Sequence, residues 1–371
     1  MPRARRLTIR EVAAAAGVSA QTVSRVINDR PDVAPDTSER VRQVIRETGY
    51  APNMLARGLT QGRSHTIAVV AYGLDYFGPS FVLSAIERRA AERGYAIMLN
   101  LLLEPDATKV DQLLNGLSAR QVDGIIWAIP EVGDNRDLLR SRVAELSVPL
   151  ILVGGMTGVP FLPSVTIDNA AIGRLATEHL LAGGSRKLGV ITGPPSWWEA
   201  RQRRAGWADT LARHGLDLTD CEVYEGDWTV QSGVAAFGAM RASCPDIDAI
   251  FASNDQMALG VLHAAHSLGL RVPEDLAVVG VDNIAESSHF WPPLTTVDQP
   301  LGQAGELAVE ALDALISGSG PVPRAAEIAP ATTMLEPRLI VRDSSRPVVE
   351  QREPTLPAAA SRLVSVEADG R

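Results

Sequence analysis

The chain has 371 residues, 46% of them apolar and 21% charged, with a net charge of −9. That length exceeds one ordinary domain and implies two or three folded units. It holds no uncharged apolar run of about 18 residues, so no transmembrane helix is expected. The basic start MPRARRLTIREV leads into no apolar stretch of the secretory kind, so a cytoplasmic protein is expected.

Charge is divided unevenly. Residues 1–64 hold eleven Arg against six Asp and Glu, a net of +5, and the remaining 24 basic and 38 acidic groups give −14. A basic head on an acidic body suggests a polyanion-binding module joined to a unit that stays off the polyanion. Cys221 and Cys244 have no metal-type or redox-type spacing and read as two reduced thiols.

The head contains three helices. Thr8 and Glu11 form a capping-box pattern ahead of Ile9, Val12, Ala13 and Ala16, which recur at helical spacing. Gly17 suits a left-handed stop. Ser19 caps a second helix running to about Asn28, with Val23, Val26 and Ile27 on its buried side. Pro35 opens a third helix that Gly49 ends. Two helices joined by a short glycine turn form a helix-turn-helix pattern, whose second helix lies in the major groove of DNA. On that reading Gln21 suits adenine and Arg25 suits guanine. Thr22, Ser24 and Asn28 are short polar groups suited to phosphates, and the caps Thr8 and Ser19 belong to the same DNA-binding set. Ala20, at the first base-reading position, offers only a methyl contact. The competing reading of the same pattern is a capped helical hairpin with a solvated face.

From His65 onward strands and helices alternate. TIAVVA, AIMLNLLL and GIIWAI, with helices between them, make one series. KLGVITG, CEVYEG, AIFASN and LAVVGVD make a second. Such alternation argues for parallel sheets in two doubly wound lobes, with a cleft at the carboxyl ends of the strands.

The stretch VAAAAGVSAQTVSRVIN, and with it most of the chain to about Ser345, resembles the LacI/GalR family of transcriptional regulators. The resemblance implies a helix-turn-helix head over 1–51, a hinge over 52–64 and an effector-binding, dimerising body over 65–345 of the periplasmic-binding-protein fold. The first lobe is expected at about 65–165 and 296–325, the second at about 166–295 and 326–345. A disordered tail is expected over 346–371. In the hinge, Asn53, Ala56, Arg57 and Leu59 are expected on the DNA. Leu59 enters the minor groove as an apolar wedge, and a linker with a chance leucine is the plainer alternative. By the same resemblance Arg203, Trp228, Asn254, Asp282 and Gln299 fall on effector positions, and Tyr72 and Tyr76 stand in the first-lobe lining as departures from the family's pattern. Their chemistry suits a carbohydrate: Asp282 accepts from adjacent hydroxyls, and Trp228 offers a flat apolar face. Gly154 stands where the galactoside-responsive branch carries an aspartate, and Leu301 replaces an aromatic. The expected effector is therefore a sugar or glycoside larger than, or configured differently from, a simple galactoside.

The resulting expectation is a homodimeric repressor of a pseudo-palindromic double-stranded DNA operator, controlled by a small carbohydrate, with no membrane partner. Purine-type co-repression and a transport-type sugar-binding protein are the alternatives. P-loop, G-x-G-x-x-G, G-x-S-x-G and H-E-x-x-H motifs are absent, so no enzyme and no cofactor are expected. His263 and His266 share a helix face without an evident acidic or Cys partner, so no metal is expected. The tail shows no leucine heptads of a tetramerising coiled coil.

Overall fold

The computed structural model describes residues 7–27, 29–50, 63–102, 107–118, 120–132, 135–155, 161–217, 222–318 and 320–346. The calls on Asn28, on the hinge residues Asn53, Ala56, Arg57 and Leu59, on Cys221 and on the tail beyond Arg346 lie outside them.

The head is built by its local signals. Helix α1 (Ile9–Ala16) begins in a complete capping box, with the Glu11 amide donating to Thr8 Oγ1 and the Thr8 amide donating to Glu11 Oε2 at 2.7 Å. It ends at Gly17 in the left-handed region, φ 68°. Helix α2 (Ala20–Ile27) follows, with the Thr22 amide donating to Ser19 Oγ at 3.0 Å. Helix α3 (Pro35–Thr48) begins with Pro35 and is followed by Gly49, φ 61°. Val12, Ala13, Ala16, Val23, Val26 and Val41 close into a small core among the three. Burying each valine contributes about 1.5–3 kcal/mol.

The body is two parallel sheets. In the first, β1 (Thr66–Tyr72), β2 (Ala96–Leu102), β3 (Gly124–Ala128), β4 (Leu150–Val153), β5 (Ser164–Ile167) and β11 (Thr332–Leu335) lie in the order β11-β5-β4-β3-β1-β2. In the second, β6 (Leu188–Thr192), β7 (Glu222–Glu225), β8 (Ala249–Ala252), β9 (Ala277–Val281), β10 (Thr295–Asp298) and β12 (Arg338–Ile340) lie in the order β12-β10-β9-β8-β6-β7, with β12 antiparallel. Strands β3, β4, β6, β8 and β9 are buried along their whole length. That is why they read as unbroken apolar runs: helices cover both faces of such sheets.

The first lobe carries α4 (Phe77–Glu92), α5 (Ala107–Ser118), α6 (Asn135–Arg142) and α11 (Leu301–Ser317), and the second carries α7 (Asn169–Ala182), α8 (Trp198–Arg213), α9 (Val230–Ser243) and α10 (Asp255–Ser267). Helices α7 and α8 touch backbone to backbone. A Cβ on Gly173 would stand 2.0 Å from the Arg203 carbonyl oxygen, and one on Gly206 1.9 Å from that of Ala170.

The chain passes between lobes three times, but later than expected. Residues 295–298 pair within the second sheet, and 332–335 pair with β5 in the first. The crossings fall after Ile167, near Gln299 and at Glu336–Pro337, correcting the expected 165, 295 and 325. Strand pairing decides lobe membership, and Thr332–Leu335 is a short strand with exposed residues that carries no apolar signature.

Candidate functional site

A cavity of about 130 Å³ lies between the carboxyl ends of the two sheets. In each sheet the strand order reverses beside β1 or β6, and open α/β sheets form their ligand crevices at that switch. Tyr76, Arg203, Trp228, Asn254, Asp282 and Gln299, named from the sequence, all line it. Tyr72 does not; it stands behind the wall, its ring 6.0 Å from that of Trp197.

Arg203 is the organising charge. It is buried, on the face of α8 that packs on α7. Its Nε donates to Asn169 Oδ1 at 2.8 Å, Nη1 to the Ser253 carbonyl and Nη2 to Gln299 Oε1 at 3.1 Å. Burial pulls its pKa down, while the nearby Asp282 and Glu199 carboxylates oppose that pull. Gln299 passes the network on, donating from Nε2 to Asp282 Oδ1. Asp282 follows β9 at φ 109° and is buried. Burial pushes its pKa up to about 6, against the lowering effects of Arg203 and of the Gln299 hydrogen bond.

The aromatic wall is equally specified. Trp228 is buried at φ 72°, and the Arg203 guanidinium lies 5.7 Å from its ring centre. Its indole packs against Gly193, where a Cβ would come within 2.0 Å of the ring. Trp197 meets Trp228 edge-on at 5.7 Å and Tyr76 at 5.4 Å. Asn254 is partly committed to structure: its Oδ1 accepts from the Met257 amide as the N-cap of α10, and its Nδ2 donates to the Trp228 carbonyl. One amide hydrogen of Asn254 is left for a ligand.

The sequence reading missed Asn169, Trp197 and Glu199 as lining residues. A sign existed in PPSWWEARQRR, where Glu199 and Arg203 are one helical turn apart on α8. The same segment bridges the lobes. The Trp198 amide donates to the Glu131 carbonyl at 3.0 Å, Arg201 pairs with the Glu131 carboxylate at 2.7 Å, and Val132 and Trp197 form an isolated β-bridge.

In the head, Gln21 and Arg25 are exposed on α2, and Ala20 and Ser24 are half-buried. The hydroxyls of Thr8, Ser19 and Thr22 are engaged in capping. His263 and His266 are exposed on α10, and no cluster of three metal-ligating side chains occurs among the described residues. No helix among them is long and apolar enough to cross a membrane.

Two family patterns match the chain: "Bacterial regulatory proteins, lacI family" over residues 8–53 and "Periplasmic binding protein-like domain" over 177–345. The HTH-type transcriptional regulator CelR of Thermobifida fusca is 35% identical over 93% of this chain and 100% of its own length. The lactose operon repressor of Escherichia coli K12 is 32% identical over 90% of this chain and 94% of its own. Among solved structures, the lac repressor dimer bound to operator and the anti-inducer ONPF superposes with a TM-score of 0.81 at 32% identity, covering 92% of this chain and 99% of that one. A CelR–cellobiose complex superposes at 0.65 and 33% identity, covering 91% and 100%. With its helix-turn-helix head and two-lobed body, the chain belongs to the LacI family of DNA-binding transcriptional regulators.

Proposed function

We propose that this chain is a repressor whose affinity for its operator is set by a small saccharide held between the two lobes. The carrying observation is the cavity's lining: a buried Asp282–Gln299–Arg203 network facing the ring of Trp228. Carboxylate and guanidinium groups suit hydroxyls, and indole faces suit sugar C–H surfaces. Two relatives support the class of ligand: a CelR structure is a cellobiose complex, and a lac repressor structure holds ONPG. On this reading Arg203, Trp228, Asn254, Asp282 and Gln299 bind the effector with Tyr76, and Tyr72 supports the wall.

DNA is read by α2 through Gln21 and Arg25, with neighbouring polar groups on phosphates. The protein acts as a cytoplasmic homodimer, one head per operator half-site, and catalyses no reaction. Phe81, Leu99 and Leu101 are exposed apolar side chains on α4 and on the edge strand β2. A subunit contact there covers both them and the strand edge. Ligand and operator are linked through the angle between lobes, with a coupling of typically 1–3 kcal/mol acting equally in both directions.

Fluorescence anisotropy of the full chain on its own upstream DNA, titrated with mono- and disaccharides, sugar phosphates and purines, tests this. Release by one saccharide is the expected result. Tightening by any ligand replaces induction with co-repression, and specific DNA binding that no ligand alters overturns the saccharide reading.

A further inference from the structure

Glu199 has no structural role in the networks above. It lies in the first turn of α8, one helical turn before Arg203, so both side chains reach the cavity from one face. The three hydrogen bonds of Arg203 go to Asn169, Ser253 and Gln299. Glu199 Oε2 is buried and accepts no hydrogen bond among the described residues. A buried acceptor left without a donor is costly, and native structures keep one mainly where something else fills it.

The space in front of it is made by Gly154. That residue sits at φ 101°, and a Cβ there would stand 3.5 Å from Glu199 Oε1 and 3.7 Å from Arg136 Nη2. Arg136 reaches this point from the first lobe. It is 4% exposed, its Nη2 donates to the Ile129 and Gly155 carbonyls, and its Nε and Nη1 have no partner among the described residues. A second-lobe carboxylate and a first-lobe guanidinium thus flank a glycine gap at the cavity. Burial raises the Glu199 pKa; its own backbone amide, Arg203 and Arg136 work against that rise, and Glu131 adds to it.

With Glu199 ionised, as the neighbouring Arg203 and Arg136 favour, Asp282 and Glu199 balance Arg203 and Arg136 in and behind the wall. A neutral polyhydroxyl ligand preserves that balance and supplies the missing donor to Glu199. A phosphate adds a third negative charge in a buried setting, where an uncompensated charge is strongly penalised. We propose that Glu199 is a second hydroxyl-accepting carboxylate of the cavity, binding the part of the saccharide that lies against Gly154, and that it selects neutral saccharides over anionic ones. This deepens the saccharide reading above and rests on it.

The test is calorimetric titration of the full-length protein and of its Glu199→Gln and Glu199→Ala variants. The probes are cellobiose, lactose and ONPG, with the 6-phosphates of the two disaccharides. Wild-type protein is expected to bind at least one neutral probe, with any 6-phosphate at least tenfold weaker. Both variants are expected to lose tenfold or more on the neutral probe, and Glu199→Gln to narrow the neutral-to-anionic ratio. Circular dichroism and the unfolding midpoint report intact folding of the variants; should Glu199→Ala fail to fold, the isosteric Glu199→Gln decides. Neutral binding within twofold of wild type in the variants overturns this proposal and leaves the saccharide reading standing. Wild-type protein that binds none of the probes overturns this proposal, and the saccharide reading falls with it only if the wider panel above also leaves operator binding unaltered.

Discussion

Gln21 and Arg25 stand exposed on a two-turn helix, outside any buried network. Arg203 and Asp282 stand buried, tied through Gln299 into one hydrogen-bonded network between the lobes. The first arrangement suits a partner that brings its own rigid surface, as duplex DNA does. The second suits a small flexible ligand, whose binding groups the protein must hold in place beforehand. The two regions should therefore respond oppositely to substitution: the head loses binding and keeps its stability, whereas the cavity loses both.

The largest expected effect follows from Arg203→Met. It removes three hydrogen bonds and the cation facing Asp282. Stripping one partner from a buried charge network costs roughly 3–5 kcal/mol. Urea unfolding should show a midpoint shift of that size, together with loss of effector binding. An unchanged midpoint would mean that the network is not the structural centre of the cleft. Arg25→Ala is the counterpart. Unfolding should move by no more than about 0.5 kcal/mol, as at most surface positions. Operator affinity should fall by about 1–3 kcal/mol, and discrimination at one base pair should relax. Uniform weakening across operator variants would reassign Arg25 to a phosphate contact.

The same contrast explains what could be read from the sequence. The capping box Thr8/Glu11, the left-handed Gly17 and the opening Pro35 act within three or four residues of themselves, and all three appear in the fold as expected. Most of the fully buried strands were legible as apolar runs between helical segments, as in GIIWA and AIFA. Leu150–Val153 and Ser164–Ile167 were not. The partners of Arg203 lie 34, 50 and 96 residues away in sequence. No periodicity encodes such a distance, so Asn169 stayed hidden, whereas Glu199, one helical turn before Arg203, left a local sign; Tyr72 was placed one layer too far forward. Resemblance carried the remaining cavity residues, because strand ends at a switch point recur in position even when their partners cannot be read.

Acidity separates the two regions next. The folded pKa of Asp282 is about 6 and that of buried Asp255 about 8, both above the ordinary aspartate value of 3.8. Asp255 owes its shift first to burial and then to the Asp282 charge, with the Thr296 hydroxyl working against it. Between pH 4 and pH 8 the folded state therefore binds more protons than the unfolded state, and stability falls as pH rises through that window. Effector binding runs the other way, since Asp282 accepts hydroxyls best when ionised. If only the carboxylate form binds, affinity at pH 7 should exceed that at pH 5 by about tenfold. Calorimetry at both values measures it, and operator affinity followed alongside shows whether the change belongs to the cavity. Effector affinity that is flat with pH would remove Asp282 from the binding set.

The smallest effect lies back in the head. Arg25 Nε stands 3.5 Å from Asp32 Oδ2, with both side chains about half exposed. An exposed pair of this kind contributes only about 0–1 kcal/mol, so its loss should leave the unfolding midpoint in place. For DNA the pair matters differently. Asp32 draws Arg25 toward itself and places a negative charge beside a surface that must approach phosphates. Asp32→Asn should therefore tighten operator binding severalfold at low salt. The gain should shrink as salt shortens the screening length to about 8 Å near physiological ionic strength. A gain that persists unchanged at high salt would point to a direct new contact from the asparagine. Weaker binding would mean that Asp32 holds Arg25 in its reading position, so that the head too is preorganised by a side-chain partner.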